Sequence, residues 1–258
     1  MIGCIIQARM GSSRLPGKVM QKIDGDYTVL DYVIKQLQKS KMIEKILVAT
    51  TNLIEDDVIC KHLSLHSIEC YRGSAEDVLD RYYQCAKKYS VSIIVRITAD
   101  NPLVDPNVVD MVINEYLHNE CDLATNTIQR TFPYGTEVEV FSFEALEKAW
   151  KNAKMPSERE HVTPFIREPK NCFSLRSVVN TVDHSQLRYT VDRNEDLQVV
   201  REIVKNIISR PILTQDIVEL HKKKPEIFEI NKNVKHDGYL SSLKKDEQYL
   251  KSMKNNRM

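Results

Sequence analysis

Two hydrophobic patterns alternate along the first 125 residues of the chain. Short runs such as KILVATT and SIIVRIT are almost continuously apolar, which is typical of strands buried on both faces. Between them, Leu30, Val33, Ile34 and Leu37 follow the i, i+3, i+4, i+7 spacing of a helix with one apolar face. The patterns predict strands at 2–8, 45–51, 68–71, 92–98 and 121–125, and helices at 29–39, 55–65, 75–89 and 107–118.

Single helices between consecutive strands indicate parallel βαβ units, in which helices cover both faces of one sheet. The predicted fold class is therefore α/β. Ligands of such sheets bind beyond the carboxyl ends of the strands. This rule selects the loops at 8–18, 50–56, 72–77 and 98–106 as candidate walls of a site.

The regular alternation of strands and helices breaks off between residues 127 and 182. Strands are predicted there at 138–141 and 174–179, with partners other than the first sheet, and helices at 143–152 and 157–168. We interpret this segment as an inserted arm, either a subdomain or an oligomer contact. A lone pair of strands is marginal in water, so it needs cover from helices or from a second subunit.

The βα pattern resumes after the arm, with a strand predicted at 187–191 and a helix at 194–208. The predicted organisation is one domain at 1–210, which carries the arm at 127–182, followed by a helical extension at 211–258.

Composition narrows the class of protein. The chain has 258 residues and a net charge of +1, from 37 Lys and Arg against 36 Asp and Glu, which disfavours a nucleic-acid partner. No apolar run approaches the ~20 residues that a membrane span needs. The six cysteines contain no C-x-x-C pair, so their spacing fits neither a disulfide framework nor a zinc site. Cys4, Cys60 and Cys85 lie in apolar patterns, which indicates small buried thiols in a reducing compartment. We expect a cytoplasmic protein.

The loop after the first strand, QARMGSSRLPGK, combines glycine, serine and basic residues. Backbone N–H groups and hydroxyls can donate to phosphate oxygens, and Arg9, Arg14 and Lys18 supply positive charge. Five residues separate Gly11 from Gly17 and Val19 follows the lysine, so this is neither a Walker A loop nor a dinucleotide motif. The loop predicts a polyphosphate cradle; the alternative is a solvated surface turn.

Two aspartates follow predicted strands directly. Asp100 lies in RITADNPLVDP and Asp192 in RYTVDRNEDL. Strand-end carboxylates in one parallel sheet can converge on a Mg²⁺ ion that bridges to phosphates. The alternative is a turn or helix-cap role, which suits Asp105 better because it precedes the helix at 107–118.

An ordered set of motifs from about residue 5 to residue 200 resembles a known family. The set is IIQARMGSSRLPGK, VATTNLIEDD, YRGSAEDVLDRY, RITADNPLVDP, FPYGTEVEVF, SEREHVTPFI and LRYTVDRNEDL. It resembles the CMP-sugar synthetases, which are cytidylyltransferases for 3-deoxy-manno-octulosonate and for sialic-acid-like nonulosonates. The nearest branch is the spore coat polysaccharide biosynthesis protein F group.

The resemblance implies a GT-A-like nucleotidyltransferase fold, with a Rossmann-like, mostly parallel sheet, helices on both faces and an inserted arm often used in dimers. It also implies roles for individual positions. The nucleotide-binding set is Ala8, Arg9, Gly11, Ser12, Arg14, Lys18, Arg72, Gly73 and Asp77. The catalytic set is Arg9, Lys18 and Asp100, with Mg²⁺ as the cofactor on Asp100 and Asp192. The acceptor-side set is Tyr134, Gly135, Glu137, Glu139, Glu160 and His161.

The acceptor side is open to other interpretations. The loop reads ARMGSS where sialate enzymes tend to have a glycine-rich ARGGSK type, so acceptor contacts cannot be copied from them. Glu137 and Glu139 share one face of a strand, which is either solvent or a polar pocket. Glu160 and His161 could equally be an exposed pair on a helix.

The reaction implied by the resemblance joins CTP to an acidic sugar, giving a CMP-sugar for surface polysaccharide or glycoconjugate synthesis and releasing pyrophosphate. We also expect a homodimer. The alternatives are a cytidylyltransferase that uses a sugar phosphate or polyol phosphate, a GT-A type glycosyltransferase, and a non-catalytic nucleotide sensor. The nearest D-x-D motif for a glycosyltransferase, Asp24-Gly25-Asp26, lies in a polar turn rather than at a strand end.

Overall fold

The computed structural model describes residues 1–235 and 238–255, so the predicted extension at 211–258 lies partly outside the described residues. The strands are β1 Ile2–Gln7, β2 Lys22–Asp24, β3 Tyr27–Thr28, β4 Lys45–Thr51, β5 Glu69–Gly73, β6 Ile93–Thr98, β7 Leu123–Thr125, β8 Glu139–Ser142 and β9 Leu175–Ser177. The α-helices are α1 Val29–Leu37, α2 Asp57–Leu65, α3 Val78–Lys88, α4 Pro106–His118, α5 Phe143–Asn152, α6 Pro156–His161, α7 Pro164–Arg167, α8 Asn194–Asn206, α9 Thr214–Lys223, α10 Glu226–Glu229 and α11 Gly238–Asn255. Short 3₁₀ helices occupy Lys18–Met20, Ile54–Asp56 and Pro169–Asn171.

The main sheet has the strand order β5–β4–β1–β6–β8–β7–β9. Among the described strands of this sheet, β8 alone runs against the others, since it pairs antiparallel with both β6 and β7. The remaining pairs are parallel. The predicted α/β class with a mostly parallel sheet is therefore confirmed, and the carboxyl ends of β1, β4, β5 and β6 meet at one edge.

Helices cover both faces of the sheet because successive strand residues point in opposite directions. On one face, Ile6 of β1 packs in a cluster that includes Val33 of α1 and the buried face of α4. On the other face, the adjacent Ile5 packs in a cluster that includes Tyr82 of α3 and the buried face of α5. Helices on both faces are likewise confirmed.

A third core cluster joins α8 to the C-terminal helices. Tyr189 and Ile203 pack there with Ile217 of α9 and Phe228 of α10. The segment is also bonded to α1, since the Gln36 side chain donates to the Ile212 carbonyl at 2.6 Å and accepts from its N–H at 3.0 Å. The residues that follow position 211 therefore contribute to the core.

The strands of the predicted arm belong to the main sheet. β8 lies between β6 and β7, and β9 pairs with β7 at the sheet edge. The prediction that these strands have partners outside the first sheet, as a lone pair, is therefore wrong. The local alternation of apolar and polar residues predicts a strand but not its partner. β8 joins the main sheet by pairing antiparallel with β6 and β7.

The predicted strand at 187–191 is also wrong. Arg188 forms one isolated bridge with Tyr134, and the Val191 N–H donates to the Asp100 carbonyl at 2.7 Å. The run passes beside the loop after β6, and it cannot pair with β6 itself because both edges of that strand are occupied, by β1 and β8. This course places Asp192 next to Asp100.

The predicted helix at 157–168 is two helices. Helix α6 ends at His161, and Val162 follows with a φ of 72°. Pro164 then opens α7, and a residue before proline is disfavoured in a continuing helix. Helix α3 likewise begins later than predicted, because the Asp77 side chain caps it by accepting from the Asp80 N–H at 2.9 Å.

Candidate active site

The glycine- and serine-containing loop at 8–18 follows β1 at the carboxyl edge of the sheet. The buried Asp56 anchors it by accepting from the Met10 N–H at 2.7 Å. The loop turns back on itself, with the N–H groups of Ser12 and Gly17 donating to the Met10 carbonyl at 2.8 and 2.9 Å. Gly17 has a φ of 67°, which glycine adopts at little cost. This turn delivers Lys18 to the site.

Lys18 joins the two predicted metal-side acids. Its ammonium donates to Asp100 Oδ2 at 2.8 Å, to Asp192 Oδ1 at 2.9 Å and to the Val191 carbonyl at 2.8 Å. Burial alone disfavours the ammonium, but the carboxylates of Asp100 and Asp192 outweigh it and raise the pKa of Lys18. The lysine is therefore held charged at the strand ends, where the sequence predicted it.

Asp192 is surrounded by positive charge. It accepts from Arg14 at 2.5 Å and, through its other oxygen, from Arg188 at 3.0 Å, in addition to Lys18. Burial opposes its ionisation, yet Lys18, Arg14 and Arg188 hold the pKa of Asp192 well below its usual range. Arg188 is fixed in turn by Asp196, which is fully buried. The Asp192 carboxylate therefore stays ionised throughout the physiological pH range.

Arg14, Lys18 and Asp100 line a cavity of about 300 Å³ at the carboxyl ends of β1 and β6. Five lining side chains are cationic and two are carboxylates, which leaves a net positive surface. The lining residues are Gln7, Ala8, Arg9, Gly11, Ser12, Ser13, Arg14, Lys18, Val19, Val78, Arg81, Arg96, Thr98, Ala99, Asp100, Glu160 and His161. A pocket with this charge suits a polyanionic ligand.

Two of the cavity arginines, Arg81 and Arg96, are absent from the predicted site residues. Arg81 lies on the buried face of α3 and donates to the Ser74 carbonyl at 2.9 Å, and Arg96 lies within the apolar strand β6. The buried Nε of each has no hydrogen-bond partner within the described chain. A buried, unpartnered donor is costly unless a ligand meets it. The position of Arg96 in a mostly apolar strand was the feature of the sequence that could have identified it as a site residue.

Glu139 lies behind Arg96 rather than on the cavity surface. It pairs with Arg96 and Arg167 and accepts from the Thr163 hydroxyl at 2.7 Å. Burial raises the pKa of this carboxyl, but the two guanidinium groups and Thr163 outweigh it and lower the pKa to about 2. Glu139 thereby positions Arg96, which does line the cavity.

Tyr134, Gly135 and Glu137 form a separate group before β8. Glu137 Oε2 accepts from the Gly135 N–H at 2.9 Å and from Asn101 at 3.1 Å, and Arg130 packs over the Tyr134 ring at 3.9 Å. A Cβ on Gly135 would lie 2.7 Å from the Tyr189 ring and 2.8 Å from the Thr190 nitrogen, so glycine is required there. This group is connected to the loop after β6 through Asn101.

Arg72, Gly73 and Asp77 lie where β5 leads into α3. Arg72 donates to the carbonyls of Thr51 and Leu53 at 3.0 and 2.8 Å. Besides capping α3, Asp77 pairs with Arg159 of α6, whose Nε lies 2.9 Å from Asp77 Oδ2. In the described structure these three residues organise the loops beside the cavity rather than line it.

Glu160 and His161 line the cavity from α6, and α11 holds them there. The Ser242 hydroxyl lies 2.8 Å from His161 Nε2 and donates to Glu160 at 3.0 Å, while Lys245 pairs with Glu160 at 2.9 Å. Burial, followed by the nearby Arg96 charge, lowers the pKa of His161. Neutral imidazole is therefore the prevailing form at pH 7. The contact with α11 had no signal in the sequence, since it joins residues about 80 positions apart.

Asp100 and Asp192 are a suitable donor set for Mg²⁺. Both present a carboxylate oxygen within 2.9 Å of one point, the Lys18 ammonium, which shows that their oxygens converge on a cation. Mg²⁺ prefers oxygen ligands and commonly uses one or two carboxylates together with phosphates. Asp100 is the more available of the two, because Asp192 already accepts from Arg14 and Arg188.

Within residues 1–235 and 238–255, no helix is both long enough and apolar enough to cross a membrane.

Comparison with known proteins places this site in context. A solved cytidylyltransferase from Leptospira borgpetersenii is 36% identical and superposes with a TM-score of 0.84, covering 88% of this chain and 96% of that one. The spore coat polysaccharide biosynthesis protein SpsF of Bacillus subtilis is 29% identical over 230 residues, which are 86% of this chain and 94% of SpsF. A CMP:2-keto-3-deoxy-manno-octonic acid synthetase, solved with CTP, shares the fold at 16% identity with a TM-score of 0.60, covering 79% of this chain and 98% of that one.

The family model described as cytidylyltransferase matches residues 3–236, which is most of the chain. That span includes the loop at 8–18, Asp100, Asp192 and the helix that carries Glu160 and His161. This chain is therefore an enzyme of the cytidylyltransferase family, a group of nucleotidyltransferases.

Proposed function

We propose that the enzyme transfers the cytidylyl group of CTP to a hydroxyl of an acidic, nonulosonate-like sugar, giving a CMP-sugar and pyrophosphate. The main support for this proposal is the cation-rich cavity at the carboxyl ends of β1 and β6, which has five basic side chains and two carboxylates. The family description supports the cytidylyl donor, and the octonic acid synthetase, which shares the fold, was solved with CTP. SpsF supports a place in surface polysaccharide synthesis by its name.

The phosphate side of the reaction belongs to the loop after β1. The sugar hydroxyl attacks the α-phosphorus in line, a new P–O bond forms, and the bond to pyrophosphate breaks. Arg9, Arg14 and Lys18 line the cavity and would neutralise the charge that develops on the leaving pyrophosphate. Little covalent work falls to the protein, so positioning and charge account for most of the rate enhancement.

Mg²⁺ held by Asp100 and Asp192 would supply further positive charge for the phosphate oxygens. Lys18 would then need another partner, and a triphosphate bound in the cavity would supply one. The chain's own contribution here is to keep the carboxylates of Asp100 and Asp192 convergent through Lys18, while Arg14 and Arg188 add positive charge beside Asp192.

The acceptor side combines Arg96 with Glu160 and His161. A guanidinium forms charge-assisted hydrogen bonds with a carboxylate. The terminal nitrogens of Arg96 already donate to Glu139 and Gln7, which leaves its Nε as the unpartnered donor. The Glu160 carboxylate and the His161 imidazole can accept hydrogen bonds from sugar hydroxyls. Arg96 is therefore the residue that we assign to the acid group of the sugar.

The alternative acceptor is a sugar phosphate or polyol phosphate, because the same five cations would also attract a phosphate. Pyrophosphate release with CTP, measured across acidic keto sugars, neutral sugars and sugar phosphates, tests the proposal. We expect turnover with an acidic sugar, and an Arg96→Gln variant should raise the KM for that sugar more than the KM for CTP. Turnover with sugar phosphates alone would contradict the proposed acceptor.

We further propose that the enzyme is a homodimer. Ile128, Val179 and Val182 are exposed apolar residues that flank the short edge strand β9 and its connections. An exposed sheet edge with apolar neighbours is a surface that a second copy can cover.

A further inference from the structure

A second cluster of metal-ligating side chains lies where α2 approaches α1. His62 is in the last turn of α2, His66 follows the end of the same helix, and Asp31 is in the first turn of α1. One ligand atom from each lies within 4.8 Å of the other two. Among the described residues, none of these three lines the active-site cavity. The cluster is thus distinct from the Asp100 and Asp192 site.

The spacing of the ligand atoms is close to that of a four-coordinate ion. His62 Nε2 lies 2.7 Å from Asp31 Oδ1, and His66 Nε2 lies 4.0 Å from the same oxygen. Ligands at about 2.0–2.1 Å from a tetrahedral zinc are separated by about 3.3 Å. The two observed distances bracket this value, so side-chain shifts of about 0.7 Å would bring each histidine nitrogen to a zinc-ligand separation from the carboxylate oxygen.

The carboxylate of Asp31 is already oriented for such a role. Its Oδ2 accepts from both the N–H and the hydroxyl of Thr28, each at 2.7 Å, in the capping box of α1. Oδ1 is thereby directed to the histidines, as the outer-sphere partners of metal ligands usually arrange. The His62 ring in the last turn of α2 and the His66 ring just after that helix lie side by side, with their centroids 5.0 Å apart.

Exposure leaves one side of the cluster open. The Asp31 side chain is 8% exposed and His62 is 18% exposed, whereas His66 is 52% exposed. An ion can therefore enter from the solvent side and keep water as a fourth ligand.

We propose that Asp31, His62 and His66 form a binding site for a divalent transition-metal ion of the Zn²⁺ type, which ties α2 to α1. Two imidazoles and one carboxylate suit zinc or cobalt, whereas magnesium prefers an all-oxygen set. The ion replaces the hydrogen bond between His62 and Asp31. Both imidazoles bind as neutral ligands, so a proton is released from any that was charged.

Cobalt spectroscopy on the tag-free, metal-stripped enzyme tests the site without relying on activity. Four-coordinate Co²⁺ absorbs visible light far more strongly than aqueous six-coordinate Co²⁺. We expect the strong absorption to saturate at one equivalent of Co²⁺ and to be abolished by Zn²⁺. Two variants remove a ligand: His66→Ala, and His62→Gln, which keeps a hydrogen-bond donor for Asp31. Each should weaken binding at least ~10-fold, the lower end of what metal sites lose when their surroundings are altered.

His118→Ala is the matched control, because His118 is an exposed histidine in the last turn of α4, bonded to a carbonyl of its own helix. It should bind cobalt like the wild type. Zn²⁺ should also raise the thermal unfolding midpoint of the wild type in proportion to its occupancy and leave that of His66→Ala unchanged. A six-coordinate cobalt spectrum, or equal affinity in the wild type and His66→Ala, would overturn the proposal.

Discussion

At the residue scale, Asp100 is the position where the proposed role of Mg²⁺ can be tested most directly. Asp100→Asn removes the charge and keeps the size, and Lys18 retains Asp192 and the Val191 carbonyl as partners. We expect the variant to fold, because Asp100 lies on a loop, and to lose at least ~100-fold in kcat/KM, the scale of removing one preorganised charged group. Pyrophosphate release with CTP is the measurement, with circular dichroism as the check on folding.

The control for this substitution is Asp26→Asn, a turn aspartate with a 98% exposed side chain that pairs with the exposed Lys22. It should retain wild-type kcat/KM. Wild-type activity in Asp100→Asn, measured with Mg²⁺ present, would show that the metal assignment is wrong.

Arg81 is a buried charge that we expect to lower the stability of the folded enzyme and to contribute to ligand binding. Burial is the main reason that the pKa of Arg81 is lowered, which means that the charged guanidinium is less favourable in the folded chain than in water. We expect Arg81→Met to reduce kcat/KM for CTP at least ~10-fold while the thermal midpoint stays the same or rises, the trade-off typical of functional sites. Arg201→Met, at a partly exposed arginine that donates to the Lys22 carbonyl, should change neither quantity. A lower midpoint with full activity would instead assign Arg81 a structural role.

At the element scale, the pairing of β6 with β8 sets up the acceptor side. Arg96 and Glu139 are direct partners in the register of these strands. Opposite charges placed across a strand pair attract, and here Glu139 is buried while the Arg96 side chain keeps 13% exposure at the cavity. The carboxylate also reaches α7 through Arg167, so one acid connects two strands and a helix.

This connection makes stability depend on pH. The pKa of Glu139 is about 2 in the folded chain against 4.5 for the unfolded group, so its contribution is complete above pH 4.5 and is lost as pH falls towards 2. Linkage gives a loss of about 1 kcal/mol between pH 7 and pH 4 from this group. Glu139→Gln should cost about 3 kcal/mol at pH 7, because it leaves two guanidinium groups without their carboxylate.

Urea unfolding of the wild type and Glu139→Gln at pH 7 and pH 4 measures both effects. The variant should lose less stability between the two pH values than the wild type does. Parallel losses in the two proteins would show that Glu139 titrates normally in the folded chain.

Helix α11 has a role that also belongs to this scale. Asp246 caps α6 by accepting from the Ser157 N–H at 2.8 Å and its hydroxyl at 2.5 Å, next to the contacts of Ser242 with Glu160 and His161. We expect Asp246→Ala to raise the KM for the sugar severalfold and to leave the KM for CTP unchanged, because α6 carries the acceptor side. Glu247→Ala, at an exposed neighbour, is the control. Equal changes in both KM values would assign α11 a general structural role.

At the scale of the whole molecule, the homodimer is open to a direct test. Sedimentation velocity at micromolar concentration should give a mass near twice 29.9 kDa. Val182→Asp, at a residue that is 56% exposed, should shift the distribution to the monomer, since a buried charge without a partner disfavours association. Leu65→Asp, at an 80% exposed residue at the end of α2, should leave the dimer intact. A monomeric wild type would contradict the dimer.

More of the fold than of the candidate site could be predicted from the sequence. Periodicity predicted β4 at its observed bounds and α5 likewise, because both depend on local patterns. The apolar run at 187–191 was taken for a strand because nothing local shows that both edges of β6 are occupied. The pair formed by Arg96 and Glu139 and the contact of Ser242 with His161 also escaped prediction, since each depends on long-range packing.

Transfer of CMP to an acidic sugar is tested most directly by ³¹P NMR of the reaction mixture. We expect a new phosphodiester resonance with no phosphorus–phosphorus coupling, together with free pyrophosphate, when the wild type is supplied with CTP, Mg²⁺ and an acidic keto sugar. Two coupled diphosphate resonances, formed only with a sugar phosphate as acceptor, would contradict it.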